Sequence, residues 1–207
     1  MKVAFGSVVD TKFLDKVWEV CQDLEWDDKY ISWMMAVIGF ETAGTFRADI
    51  RNGAGSGATG LIQFMPLTAM QLGTTTGLLA KMSAVEQLDY VKQYFEPYKN
   101  KINSLCDMYT AVFAPKYVGF PPETVLYSEG AAYRQNAPLD VNTDGKITKE
   151  EACYYVQQML WKGLQPKYSK EYTPKSKEVS KKESITEILD ELDEIIRKLR
   201  GEFNNAK

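Results

Sequence analysis

Residues 33–69 read WMMAVIGFETAGTFRADIRNGAGSGATGLIQFMPLTA, and the fold turns on how this stretch changes character at Glu41. From Lys29 to about Thr42 the chain carries Ile31, Trp33, Met34, Met35, Val37, Ile38 and Phe40. It is apolar on nearly every side, which predicts a central helix buried all round. From Ala43 to Gly60 the glycines at 44, 53, 55, 57 and 60 exclude a stable helix. That stretch predicts an exposed connection, with one or two short strands around Phe46–Arg51. Leu61 to Met70 is apolar again, with Pro66 placed for a helix start.

Working outward, helical periods dominate, so the predicted class is mainly α, with a small irregular or β-containing lobe. Leu14, Val17, Trp18 and Cys21 mark one face of a helix over 11–24. Ser83 and Glu86 form a capping-box pattern opening a helix over 83–96. A further helix over 101–113 is stopped by Pro115, Gly119, Pro121 and Pro122. A short one is predicted over 123–132, and another from Lys149 to Leu160.

Residues 1–165 therefore form one domain, and 166–183, PKYSKEYTPKSKEVSKKE, read as a polar lysine-rich linker. Residues 184–200, SITEILDELDEIIRKLR, predict a separate C-terminal helix with a Ser184/Glu187 capping box. Ile185, Ile188, Leu192, Ile195 and Leu199 make its apolar stripe, widened by Leu189 and Ile196. A helix this short needs a partner: its own domain, a second copy or a larger assembly.

The 207 residues are 44% hydrophobic with a net charge of −3, enough for one sizeable core and unlike the basic surface of a nucleic-acid reader. With no histidine, His-based triads and His-containing zinc sites are excluded. Cys21, Cys106 and Cys153 are far apart and odd in number. They read mainly as small core residues of a chain made in a reducing compartment, with one disulfide pair still open. The N-terminus does not read as a signal peptide, and no apolar run is long enough to span a bilayer.

Residues 140–151, DVNTDGKITKEE, match the twelve-residue EF-hand loop. Asp140, Asn142 and Asp144 occupy positions 1, 3 and 5, and Gly145 stands at the sharp turn. Lys146 offers its backbone carbonyl, Ile147 is the apolar position, and Glu151 is the bidentate ligand. This donor set suits a structural calcium ion. The alternative is an acidic turn capping the helix that begins at Lys149. A single loop points to stapling the fold or supporting a neighbouring groove, rather than to calcium sensing.

Glu41 ends the apolar helix, where lost hydration raises a carboxyl pKa and fits it for general acid work. On pattern alone it could equally be a solvated helix-end residue. The stretch from Trp33 to Ala69, however, resembles the soluble lytic transglycosylase and goose-type lysozyme family. In that family a glutamate ends an apolar helix and a G-L-[MI]-Q-[FIV]-M-P-x-[ST]-A segment follows. Here Glu41 matches the glutamate, and Gly60, Leu61, Ile62, Gln63, Phe64, Met65, Pro66, Thr68 and Ala69 match the segment. Thr42 stands where the family has serine. The family's A-Y-N-A-G motif has no recognisable counterpart; Tyr109 and Phe113 in MYTAVFAPKYVG are its approximate replacements. Phage-associated members carry a tyrosine and an asparagine ahead of a calcium-type loop, matched by Tyr133 and Asn136.

The resemblance implies a lysozyme-like fold holding a peptidoglycan strand in a cleft. Glu41 would act as acid and then base, with Thr42, Gln63, Phe64, Tyr109, Tyr133 and Asn136 along the glycan. It implies a lytic transglycosylase forming 1,6-anhydro ends, or a muramidase if a second carboxylate such as Asp49 positions water. Arg47 and Arg51 read as solvated charges before they read as contacts for glycan-linked carboxylates. The rival class is a non-catalytic calcium-stapled component of a phage particle. The expected setting is synthesis in the cytoplasm without a signal peptide, then action on the cell wall from a virion or after lysis.

Overall fold

The computed structural model describes residues 1–174 apart from Ala54, and six positions between Ile185 and Ile196. The chain divides into two compact units, Met1–Tyr172 and Thr173–Lys207. The first is mainly helical. Its central element is α2 (Lys29–Glu41), which buries Tyr30, Ile31 and the whole run Met34–Gly39. A helix apolar on all sides must be enclosed on all sides. Three neighbours enclose this one: α1 (Thr11–Asp23), α6 (Leu105–Phe113) and α8 (Lys149–Gly163).

α1 starts where the Asp10 carboxylate accepts the Phe13 N–H at 2.8 Å, and its apolar face of Phe13, Leu14, Val17, Val20 and Cys21 is buried. Its other neighbour is α5 (Ala84–Phe95), which opens with the expected Ser83/Glu86 capping box. Between α2 and α5 lie only the short α3 (Pro66–Gln71) and α4 (Thr76–Leu79). The strands expected around Phe46–Arg51 are not formed. That stretch contributes one bridge, Arg51 to Thr59, and Thr59 in turn bridges to Phe64.

The other departures have local causes. α6 begins at Leu105 rather than 101 because the Ser104 hydroxyl caps it, accepting the Asp107 N–H at 3.0 Å. Residues 123–132, expected to be helical, open instead as strand β2 (Val125–Tyr127), paired antiparallel with β3 (Ile147–Thr148). The helix follows later, as α7 (Gly130–Asn136).

Cys106 and Cys153 are joined in a disulfide that ties α6 to α8, which corrects their reading as simple core residues; Cys21 remains a buried free thiol. Beside this bond the Lys149 ammonium is buried, paired with Asp107 and donating to the Phe120 carbonyl at 2.7 Å.

The linker expected from Pro166 does not begin there. Lys170–Glu171 form β4, antiparallel to β1 (Lys2–Val3), and the Tyr172 hydroxyl donates to Asp15 at 2.7 Å. Residues 166–172 therefore belong to the folded unit, because Tyr172 is buried and their backbone pairs with the chain's first residues. The expected linker residues 175–183 lie outside the described residues, as do most positions of the expected C-terminal helix. Within 184–200, the described positions Ile185, Thr186, Ile188, Leu189, Leu192 and Ile196 are helical and exposed. Among the described residues no helix is long and apolar enough to cross a membrane.

Candidate active site

Glu41 is the last residue of α2, and the chain around it is firmly held. The Gly44 N–H donates to the Gly39 carbonyl at 2.6 Å and the Ala43 N–H to the Phe40 carbonyl at 3.2 Å, a Schellman closure. Ala43 takes the left-handed conformation that glycine usually fills, with φ of 51°. The Thr42 hydroxyl donates to the Ile38 carbonyl at 2.7 Å and accepts the Phe46 N–H at 3.0 Å. Thr42 is fully buried, so it braces the helix end and does not line the glycan path expected for it. Burial raises the Glu41 carboxyl pKa from 4.5 to about 7. The carbonyl end of α2 disfavours the anion as well.

The opposing wall is built by the glycine-rich segment and fixed from behind by Gln87 of α5. Its carboxamide accepts the Leu61 N–H at 2.7 Å and donates to the carbonyls of Ala48 at 3.0 Å and Leu79 at 2.9 Å. Gly60 packs directly on that carboxamide with φ of 89°, a place no Cβ fits. Three residues on, Gln63 adopts φ of 50° and donates from Nε2 to the Gly60 carbonyl at 3.0 Å. The motif glycine and glutamine are thus a single tight turn presenting the Gln63 side chain.

Between the walls lies a cleft of about 680 Å³. Glu41, Gln63 and Asn136 line it, as do Asn52, Ser56, Met65, Phe113 and Gln135. The sequence reading missed Asn52, Ser56 and Gln135. Two lie in the glycine-rich loop and the third beside Asn136, so only proximity to motif residues could have flagged them. Glu41 is the only ionisable side chain among the described residues that line the cleft.

Three other expected contacts are not in its wall. Phe64 is buried, edge-on to Tyr94 at 6.1 Å. Tyr109 is buried behind Phe113, stacked on it at 5.6 Å, and its phenol pKa is pushed up by burial and by the Glu41 charge. Tyr133 donates its hydroxyl to Asp140 at 2.8 Å. Trp33 is half-buried against Tyr30 at 4.7 Å, and Phe46 is buried, so neither is an open sugar platform. Asp49 is exposed in a two-pronged pair with Arg47 at 2.9 and 2.7 Å, which holds its carboxyl below the usual range. It is outside the cleft.

The 140–151 loop is closed by its own side chains. Asp140 accepts the N–H groups of Asp144 at 3.1 Å and Gly145 at 2.9 Å, and Asn142 accepts that of Asp144 at 2.8 Å. Asp144 accepts the Lys146 N–H at 2.9 Å. Glu151 reaches back across the loop, accepting the Asn142 N–H at 3.3 Å while also capping α8 at Thr148. Burial pushes the Asp140 carboxyl up, but hydrogen bonds from Tyr133, Gly145 and Asp144 outweigh it, and its pKa is lowered. Among the described residues no three His, Cys, Asp or Glu side chains stand together as a ready-made metal site. The donor set that fits calcium here includes the Asn142 amide and the Lys146 carbonyl as well as carboxylates, all hard oxygens.

No family model, curated protein or solved structure matches this chain. The resemblance to lytic transglycosylases therefore rests on the motif residues alone.

Proposed function

We propose that this protein is a peptidoglycan lytic transglycosylase, cleaving between N-acetylmuramic acid and N-acetylglucosamine with Glu41 as its single acid and base. The observation that carries this is Glu41's isolation: a carboxyl raised to about 7, alone among cleft residues that are otherwise amide, hydroxyl or apolar. Near neutral pH a sizeable fraction is protonated and able to donate.

In the proposed reaction Glu41 gives its proton to the glycosidic oxygen as the C1–O bond breaks, leaving an oxocarbenium-like sugar. The resulting carboxylate then takes the proton from the muramoyl 6-hydroxyl as O6 bonds to C1. Glu41 returns to its protonated form and no water is consumed. A hydrolase of this kind would use a second carboxylate to hold water, and Asp49 is committed to Arg47 outside the cleft. Asn52, Gln63, Gln135 and Asn136 supply the amides that would bind acetamido and hydroxyl groups of the glycan. Asp140, Asn142, Asp144, Lys146 and Glu151 would hold calcium, whose contribution is to order the loop beside the cleft.

The test is mass spectrometry of products from purified peptidoglycan. Anhydro-muropeptides, lighter than hydrolysed ones by one water, are expected from the wild type and none from Glu41→Gln. Reducing-end muropeptides would make the protein a muramidase, and no soluble product, with or without calcium, would refute glycan cleavage.

A further inference from the structure

We propose that Tyr133 is a positioning residue of the cleft: its hydrogen bond to Asp140 transmits calcium-dependent order in the 140–151 loop to Gln135 and Asn136. The need for such a link is plain in α7 itself. It has seven residues, none of them fully buried, and its N-cap residue Glu129 makes no side-chain capping bond. A helix of this length has negligible stability alone, yet it carries two of the amides that line the cleft.

Tyr133 packs against the edge of the core, and the polar bonds that anchor α7 come from the loop side. The Tyr133 hydroxyl donates to Asp140 Oδ2 at 2.8 Å, one turn before Asn136. The chain then makes a 3₁₀ turn over Ala137–Leu139, closed by the Asp140 N–H on the Ala137 carbonyl at 3.0 Å. The Tyr155 hydroxyl of α8 donates to the Pro138 carbonyl at 3.3 Å. Asp140 divides its two oxygens: Oδ2 takes Tyr133 and Gly145, while Oδ1 takes the loop N–H of Asp144. An ion that fixes Asp140 within the loop therefore fixes the acceptor on which Tyr133, and with it α7, is hung. Glu41 sits on a different element, closed by its own Schellman bonds, so the coupling acts on glycan binding and not on the acid.

The coupling is independent of the reaction, but its consequence for glycan rests on the proposed function. The experiment uses the full-length Glu41→Gln chain, with and without Tyr133→Phe. It measures calcium binding by calorimetry, hydrogen exchange over 130–136, and affinity for a soluble N-acetylglucosamine oligomer. Calcium is expected to protect 130–136 and tighten oligomer binding by about fivefold or more, and Tyr133→Phe to lose both gains while still binding calcium. In the chain that retains Glu41, Tyr133→Phe should raise KM and leave kcat nearly unchanged, a split that general destabilisation would not produce. No calcium uptake, uptake with unchanged exchange over 130–136, or gains that persist in Tyr133→Phe would each overturn the proposal. Calcium- and Tyr133-dependent exchange without oligomer binding would uphold the coupling and refute the glycan reading instead.

Discussion

Replacing Glu41 with glutamine should make the protein inactive and, above neutral pH, more stable. In the unfolded chain the carboxyl titrates near 4.5, and in the folded chain burial holds it at about 7. Between these values the folded state keeps a proton that the unfolded state has released, so raising the pH favours unfolding. The penalty grows by ~1.4 kcal/mol per pH unit and levels above pH 7 at ~3 kcal/mol. Glutamine mimics the protonated acid and carries no such penalty. The two proteins should therefore match near pH 4.5 and separate by ~3 kcal/mol at pH 8, roughly 6–12 °C in melting temperature for a chain of this size. Urea unfolding of both proteins across this range isolates the effect, because the other acidic groups titrate in both and cancel in the difference. Wild-type cleavage should fall as pH rises through about 7, where the acid loses its proton. A difference that does not change with pH, or a Glu41→Gln chain less stable than wild type at pH 8, would refute the account of a desolvated carboxyl.

Lys149→Met leaves Asp107 buried without its cation and should cost ~3–5 kcal/mol, read from the urea midpoint. Gly60→Ala places a methyl group on the Gln87 carboxamide at a left-handed backbone position. It should cost about 2–4 kcal/mol and weaken oligosaccharide binding through Gln63. Reducing the Cys106–Cys153 bond, which closes a separation of 47 residues, should lower stability by at most ~4 kcal/mol. A Cys106→Ala/Cys153→Ala chain should show no further response to reductant.

The legible parts of the fold were those written in neighbouring residues. The apolar run before Glu41 gave α2, and Ser83 with Glu86 gave the start of α5, because helix periods and caps act within a few positions. What was hidden depends on distant partners. Nothing near Lys170 announces pairing with Val3, and the lysine-rich composition there reads as solvated chain. Cys106 and Cys153 look like core residues until α6 and α8 are laid together. In the site, Glu41 and Gln63 could be read because the motif fixes their geometry locally. Tyr133 could be named but not placed: its hydroxyl faces the acidic loop, and only three dimensions reveal that its neighbours Gln135 and Asn136 face the cleft. Thr42 illustrates the reverse error, a polar residue beside the acid whose hydroxyl is wholly spent on backbone.

The pairing of β1 with β4 has a topological consequence. The Met1 amine donates to the Tyr172 carbonyl at 2.9 Å, and the Tyr172 N–H donates to the Met1 carbonyl at 2.8 Å. Positions 1 and 172 are thus neighbours in space, and the first unit is nearly a closed ring. A ring can be cut elsewhere: a circular permutant joining those positions and opened at the exposed Gly73 turn would keep every helix and every cleft residue in place. Its new termini would emerge between α3 and α4, on a different element from either wall-bearing helix.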